Sequence, residues 1–295
     1  MFIKDIFKEK KVVFSFEIFP PKTTSSLDTI YKTIEDLKDL KPDFISVTYG
    51  AGGSTIDNKT TLLSSLIKNK YGIESAAHLT CIGSSKSDIE TILEDLKKNN
   101  IENILALRGD IPEDKTSNGE FSYAYELISH IREHGDFGIS AACYPEGHLE
   151  CRDLDLDIVR LKQKVENGAE HLVSQLFFNN NVFYDFLERC SKKSIDVPIE
   201  AGIMPVINKK QIERITALCG AELPEKFIKI MNKYEHNPEA LRDAGIAYAV
   251  EQIVDLLSSG VRGIHLYTMN NPLVARRITE SVGSIITSLN KDIIV

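Results

Sequence analysis

Residues 14–21, FSFEIFPP, set one carboxylate, Glu17, among apolar and aromatic neighbours just before two prolines. A carboxylate in such company is costly unless it is paired, hydrogen-bonded or kept protonated. Other chemistry-bearing residues recur at the ends of short apolar runs. LRGD (107–110) brings a guanidinium, Arg108, within two residues of a carboxylate, Asp110. The pair reads either as a structural ion pair or as ligand contacts, Arg108 for a phosphate or ring and Asp110 for donor groups. Gly109 between them would let a ligand approach the backbone. YPEGH (144–148) offers Tyr144 and His148, a pair suited to stacking and hydrogen bonding on a heteroaromatic ligand. Lys164 falls in a predicted helix, where a solvated surface lysine is the competing assignment.

Several patterns exclude themselves. GAGGST (50–55) is not a dinucleotide fingerprint, because Thr55 stands where the last glycine belongs. Its amides could hold an anion, and a tight turn explains it equally well. Neither a phosphate-binding P-loop nor a G-x-S-x-G nucleophile turn occurs. His130 and His134 are four residues apart, but no glutamate follows the first as a zinc protease requires. They end a predicted helix, where positive charge offsets the dipole, and that assignment is favoured over a metal site. His171 and His236 stand alone. The cysteines, Cys81, Cys143, Cys151, Cys190 and Cys219, are odd in number, scattered and without a C-x-x-C pair, so buried reduced thiols are expected.

The elements that must position these residues follow a rhythm. Eight apolar runs (12–19, 44–50, 74–81, 103–110, 138–145, 171–178, 198–205 and 263–269) alternate with amphipathic stretches. In residues 87–98, apolar spacings of three and four predict a helix, with Ser87 and Glu90 placed as a capping box. Asn237 and Pro238 predict another helix start. Eight βα units in series predict an α/β fold closed into a single (β/α)8 TIM barrel spanning residues 1–295. Residues 207–260 exceed one crossover helix and predict two or three extra helices before the last strand.

Strand parity then sorts the side chains. Phe14, Phe16 and Ile18 share one face of the first strand, and Ser15, Glu17 and Phe19 the other. The same split sets Thr48, His78, Arg108, Asp110, Tyr144, Gln175, His265 and Tyr267 on the second face. That face becomes polar towards the strands' C-terminal ends, where barrel enzymes build their sites.

Composition narrows the classes. The chain of 295 residues is 42% hydrophobic with a net charge of -8, enough for a full core and without the basic stripe a nucleic-acid binder carries. No apolar run reaches membrane-spanning length, and the charged stretch MFIKDIFKEK is unlike a signal peptide. A cytoplasmic protein with no nucleic-acid, membrane or metal partner is expected.

FSFEIFPPK, ISVTYGAGGST, HLTC, LALRGD, AACYPEGH, SQLFF, GIMPVIN and HLYTMN together, in order over residues 12–289, resemble the methylenetetrahydrofolate reductase family. The resemblance implies an FAD-containing (β/α)8 barrel that reduces 5,10-methylenetetrahydrofolate to 5-methyltetrahydrofolate. NAD(P)H and the folate would take turns in a ping-pong scheme. It makes Glu17 the general acid that protonates the departing folate nitrogen, its apolar strand keeping the proton in place near neutral pH. Asp110 resembles an aspartate near both pterin and flavin. Arg108, Gly109, Tyr49, Ala51, His78, Tyr123, Ala124, Tyr144, His148, Asp157 and Lys164 resemble flavin contacts. Cys151, Arg160 and Gln163 occupy flavin-proximal positions of no fixed type. Thr48 resembles a nicotinamide-contacting threonine. Gln175, Gln211 and Tyr267 fall among the substrate contacts. One departure stands out: enterobacterial-type relatives follow YT-x-N with an arginine that helps hold the folate, and here Asn271 takes that place, with Arg276 and Arg277 a turn further on. The family also implies a homo-oligomer. Competing readings are a partner-dependent flavoprotein subunit fed by an electron-transfer protein, and a flavin-free barrel lyase using Glu17 and Lys164.

Overall fold

The computed structural model describes residues 1–21, 27–49, 59–110, 119–151 and 153–291. All eight expected runs are strands: β1 (Val13–Ile18), β2 (Phe44–Val47), β3 (Glu74–Thr80), β4 (Asn103–Leu107), β5 (Gly138–Cys143), β6 (His171–Ser174), β7 (Ile199–Ile203) and β8 (Gly263–Tyr267). Each pairs in parallel with the next, and β1 pairs with β8 from Val13↔Gly263 to Glu17↔Tyr267, closing the barrel. The helices in chain order are α1 (Ile3–Glu9), α2 (Leu27–Lys38), α3 (Lys59–Ser65), α4 (Lys86–Lys98), α5 (Ala124–His134), α6 (Leu154–Glu166), α7 (Asn180–Lys192), α8 (Lys209–Cys219), α9 (Glu225–Tyr234), α10 (Pro238–Ser258) and α11 (Pro272–Lys291), and α3 runs on into a π-helical turn, Leu66–Lys70. The long stretch before β8 thus holds three helices, α8 to α10.

Parity decides the core. Phe16, Ile18, Ile45, Val47, Ala77 and Leu79 point outward and are buried under Ile34 and Leu37 of α2 and Leu93 and Leu96 of α4. Each large apolar side chain so enclosed contributes about 1.5–3 kcal/mol. A smaller core of Leu176, Phe178, Met204, Val206, Phe227 and Met231 ties the extra helices to the ends of β6 and β7. α10 lies so close to the chain after β7 that a Cβ at Gly245 would fall 1.7 Å from the Val206 carbonyl oxygen. α1 buries Ile3, Ile6 and Phe7 against Val13, Phe44 and Ala76, covering the end of the barrel where the strands begin.

Two helix starts test the capping expectations. Asn237 caps α10, its side chain accepting from Ala240 N at 3.1 Å. The capping box expected of Ser87 and Glu90 instead belongs to Ser85 and Asp88, because α4 begins two residues earlier. Ser85 Oγ accepts from Asp88 N at 3.1 Å, and Asp88 accepts from Ser85 N at 2.9 Å.

Candidate active site

Glu17 lies near the C-terminal end of β1 and faces the lumen, as parity requires. Two histidines that parity also sets on this face stand beside it. Its Oε2 stands 3.5 Å from His78 Nε2 and 3.6 Å from His265 Nε2. The apolar neighbours in sequence serve the opposite face of the strand. Burial pushes His78 down to about 4, so its ring is neutral at physiological pH. His265 continues inward. Its Nδ1 lies 2.6 Å from Ser15 Oγ, and that hydroxyl donates to Glu200 Oε1 at 3.0 Å. With its one proton given to Glu200, Ser15 must accept from His265, so the Nδ1 carries hydrogen. In a neutral ring, Nε2 is then the acceptor, facing Ser46 Oγ at 3.4 Å and Glu17 at 3.6 Å. Below, Glu200 Oε2 stands 3.3 Å from His171 Nε2, and His171 Nδ1 is 2.9 Å from Ser140 Oγ. A chain of polar contacts therefore fills the lumen from Ser140 to Glu17.

Beside this column, a cavity of about 280 Å³ opens at the C-terminal ends of β4 and β5. Arg108, Tyr123, Ala124, Tyr144, His148, Asp157, Arg160, Gln163 and Lys164 all line it, so nine of the expected flavin positions come together. Arg108 forms a two-pronged ion pair with Glu150, both N–O distances being 2.7 Å. Lys164 is no solvated surface lysine: its Nζ donates to Ala142 O on β5 at 2.8 Å and sits 5.5 Å over the Tyr144 ring. Burial lowers its pKa and raises that of Asp157 beside it. Burial also pushes the Tyr144 phenol up to about 12, and His148 meets that ring edge-on at 4.8 Å.

The expectation that Arg108 and Asp110 share a strand face fails. β4 ends at Leu107, and Gly109 takes a φ of +87°, which breaks the alternation. Arg108 turns into the cavity, while Asp110 is exposed and does not line it. The remaining expected residues lie apart from the cavity. Thr48 N donates to Ile18 O at 3.0 Å, continuing the β1–β2 pairing. His78 stands at Glu17, and Tyr49 lines a small cleft with the same histidine. Gln175 Oε1 accepts from Leu176 N at 2.9 Å, and Tyr267 donates to Ser174 O at 2.7 Å. Gln211 is exposed in the first turn of α8, and Cys151 is buried outside the cavity lining. Ala51 lies outside the described residues. Asn271 is the residue before α11, and its Oδ1 accepts from Val274 N at 3.2 Å as a cap. Neither nearby arginine takes the missing arginine's part: Arg276 donates to Asp36 O at 3.3 Å, and Arg277 is paired with Asp243.

Sequence reasoning missed Glu150, Glu200 and the depth of His265. Glu200 was legible, since it alternates with the outward-facing Ile199 and Ala201 in β7. Glu150 lies in the loop after β5, where no period applies.

Known proteins fit this arrangement. Residues 2–283 match the family model described as methylenetetrahydrofolate reductase. The chain is 35% identical over 269 residues to the 5,10-methylenetetrahydrofolate reductase of Pectobacterium carotovorum, covering 91% of this chain and 89% of that one. It is likewise 35% identical to Arabidopsis thaliana methylenetetrahydrofolate reductase (NADH) 1, covering 96% of this chain and 50% of the plant protein. Among solved structures, a Clostridium thermocellum protein described as binding two copies of 5-methyl-5,6,7,8-tetrahydrofolic acid shares the fold, with a TM-score of 0.66 at 16% identity over 97% of this chain and 99% of that one. With a barrel of eight parallel strands and a family match over nearly its whole length, the chain belongs to the methylenetetrahydrofolate reductase family.

Proposed function

We propose that this chain is an oxidoreductase acting on a CH–NH group, reducing 5,10-methylenetetrahydrofolate to 5-methyltetrahydrofolate with FAD and NAD(P)H. The observation that carries the reading is Glu17 between two imidazoles at the same C-terminal end of the barrel as the β4–β5 cavity. The cavity walls fit FAD chemically. Arg108, Arg160 and Lys164 offer cations for a pyrophosphate, and Tyr123, Tyr144 and His148 offer ring faces. The Glu150 carboxylate now pairs with Arg108 as an anionic ligand group would. FAD held there would supply hydride taken from NAD(P)H to the folate's methylene carbon.

The chain's own residues handle the proton. Ring opening of methylenetetrahydrofolate needs a proton on the departing nitrogen, and Glu17 delivers it. The carboxyl, one-fifth exposed, is recharged by solvent between turnovers, and the Nε2 of His265 is placed to accept a hydrogen bond from the protonated acid. Ser15 and Glu200 hold His265 in the tautomer this requires. Neutral His78 adds no positive charge that would strip Glu17 of its proton. Tyr267, fixed on Ser174 O, and Gln175 are assigned to the folate side.

The test separates the half-reactions. Purified protein should be yellow, release FAD on denaturation, bleach anaerobically with NADH or NADPH, and recolour with methylenetetrahydrofolate. Protein that cannot be reconstituted with FAD would sink the reading. Bleaching that no nicotinamide nucleotide achieves would favour a protein electron donor instead.

A further inference from the structure

The outside of the barrel carries a second group of chemistry-bearing side chains, far from the lumen. His130 and His134 lie one turn apart on α5 with ring centroids 4.1 Å apart, and Glu90 reaches them from α4. Glu90 Oε1 stands 3.5 Å from His130 Nε2 and 3.3 Å from His134 Nε2, and the three atoms all lie within 4.8 Å of one another. A tetrahedral cation with bonds of about 2.0–2.1 Å sets its ligand atoms roughly 3.3–3.4 Å apart. Two edges of that tetrahedron are therefore already at length.

The rings are prepared for ligation. His134 Nδ1 is 2.8 Å from the His130 carbonyl oxygen. A carbonyl only accepts, so this Nδ1 carries hydrogen, and Nε2 is the ring atom left to ligate a cation on the Glu90 side. Histidines that ligate metals commonly have their other nitrogen fixed in this way. His130 is 93% buried at its side chain, exposed only 7%, and packs edge-on to Phe121 with centroids 5.4 Å apart. Its Nε2 has no hydrogen-bond partner, although it is buried and aimed at the cluster. An unpartnered buried nitrogen is costly, and a cation would satisfy it.

We propose that Glu90, His130 and His134 bind a first-row divalent cation, with Zn²⁺ the best fit, and that the cation pins α4 to α5. Two imidazoles and one carboxylate are the ligand set Zn²⁺ accepts, with water completing the tetrahedron. The third ligand comes from a neighbouring helix, so the spacing of the two histidines alone does not reveal it. Tyr123 and Ala124, at the other end of α5, line the cavity, so the cation lies a helix length from the chemistry and plays no part in it.

The experiment uses tag-free full-length protein, stripped with a chelator and titrated calorimetrically with Zn²⁺. One equivalent should bind per chain, the thermal midpoint should rise with Zn²⁺, and Co²⁺ should give a tetrahedral visible spectrum. His134→Ala and Glu90→Gln, both at partly exposed positions, should each weaken binding by roughly tenfold or more. Both should keep wild-type flavin reduction. His236→Ala, which removes an exposed histidine beside Glu235, should change nothing. Absence of saturable binding, binding unchanged in His134→Ala, or binding lost in His236→Ala would each overturn the site.

Discussion

In the proposed reaction Glu17 gives a proton as the folate ring opens, and two imidazoles flank its carboxyl group. Glu17→Gln should still bleach with its nicotinamide donor yet lose about 10²–10⁴-fold in folate reduction, measured by stopped-flow reoxidation. His265→Gln should slow the same step and alter its pH profile while leaving flavin reduction intact. Normal folate turnover in both variants would remove this pair from the chemistry. On the cavity side, Arg108→Lys should lower flavin retention, because an ammonium lacks the planar fork. Glu150→Gln should cost less than about 1 kcal/mol in a urea titration, since its partner contact is half exposed. Glu17, Arg108 and Tyr144 were legible because each ends an apolar run on the lumen face. Parity also set His78 and His265 on the face of Glu17, but not how close they stand, because they come from β3 and β8 and only barrel closure brings them to β1.

Strands were easier to find than their ends. Alternation located all eight, but it carried the fourth run to residue 110, whereas left-handed Gly109 ends any alternation after Leu107. The capping box of α4 slipped by two residues for a related reason: Ser85 and Ser87 are chemically alike, and only the backbone turn chooses between them. The extra helices show how tertiary contact overrides local preference. Alanine is the better helix former, so Gly245→Ala in α10 would gain up to about 1 kcal/mol from propensity alone. The close approach to Val206 O reverses the sign, and a net loss of about 1–3 kcal/mol is expected. A lowered urea midpoint, without a change in slope, would show it. A midpoint at or above wild type would mean that α10 can move away without cost.

The molecule as a whole keeps carboxyl and imidazole groups inside its barrel, and acid should expose this. His78 titrates near its ordinary value when unfolded and at about 4 when folded. Between those values the unfolded chain binds a proton that the native chain refuses, so stability falls as pH drops from about 6.5 to 4, by as much as roughly 3 kcal/mol. His78→Asn should flatten that part of the stability curve, as read from urea midpoints across the range. An unchanged slope would mean that other groups carry the acid sensitivity. Closure of the barrel has a different consequence, one of timing. Glu17 sits on the first strand, yet its pairing partner Tyr267 and its neighbour His265 belong to the last. During synthesis at 5–20 residues per second, the carboxylate therefore waits roughly 12–50 s for the strand that completes its surroundings. A nascent chain halted before β8 would carry an acid whose nearest imidazole, among the described residues, is His78, and an open seam on β1. That seam is where a chaperone, or a second nascent chain, would find its edge.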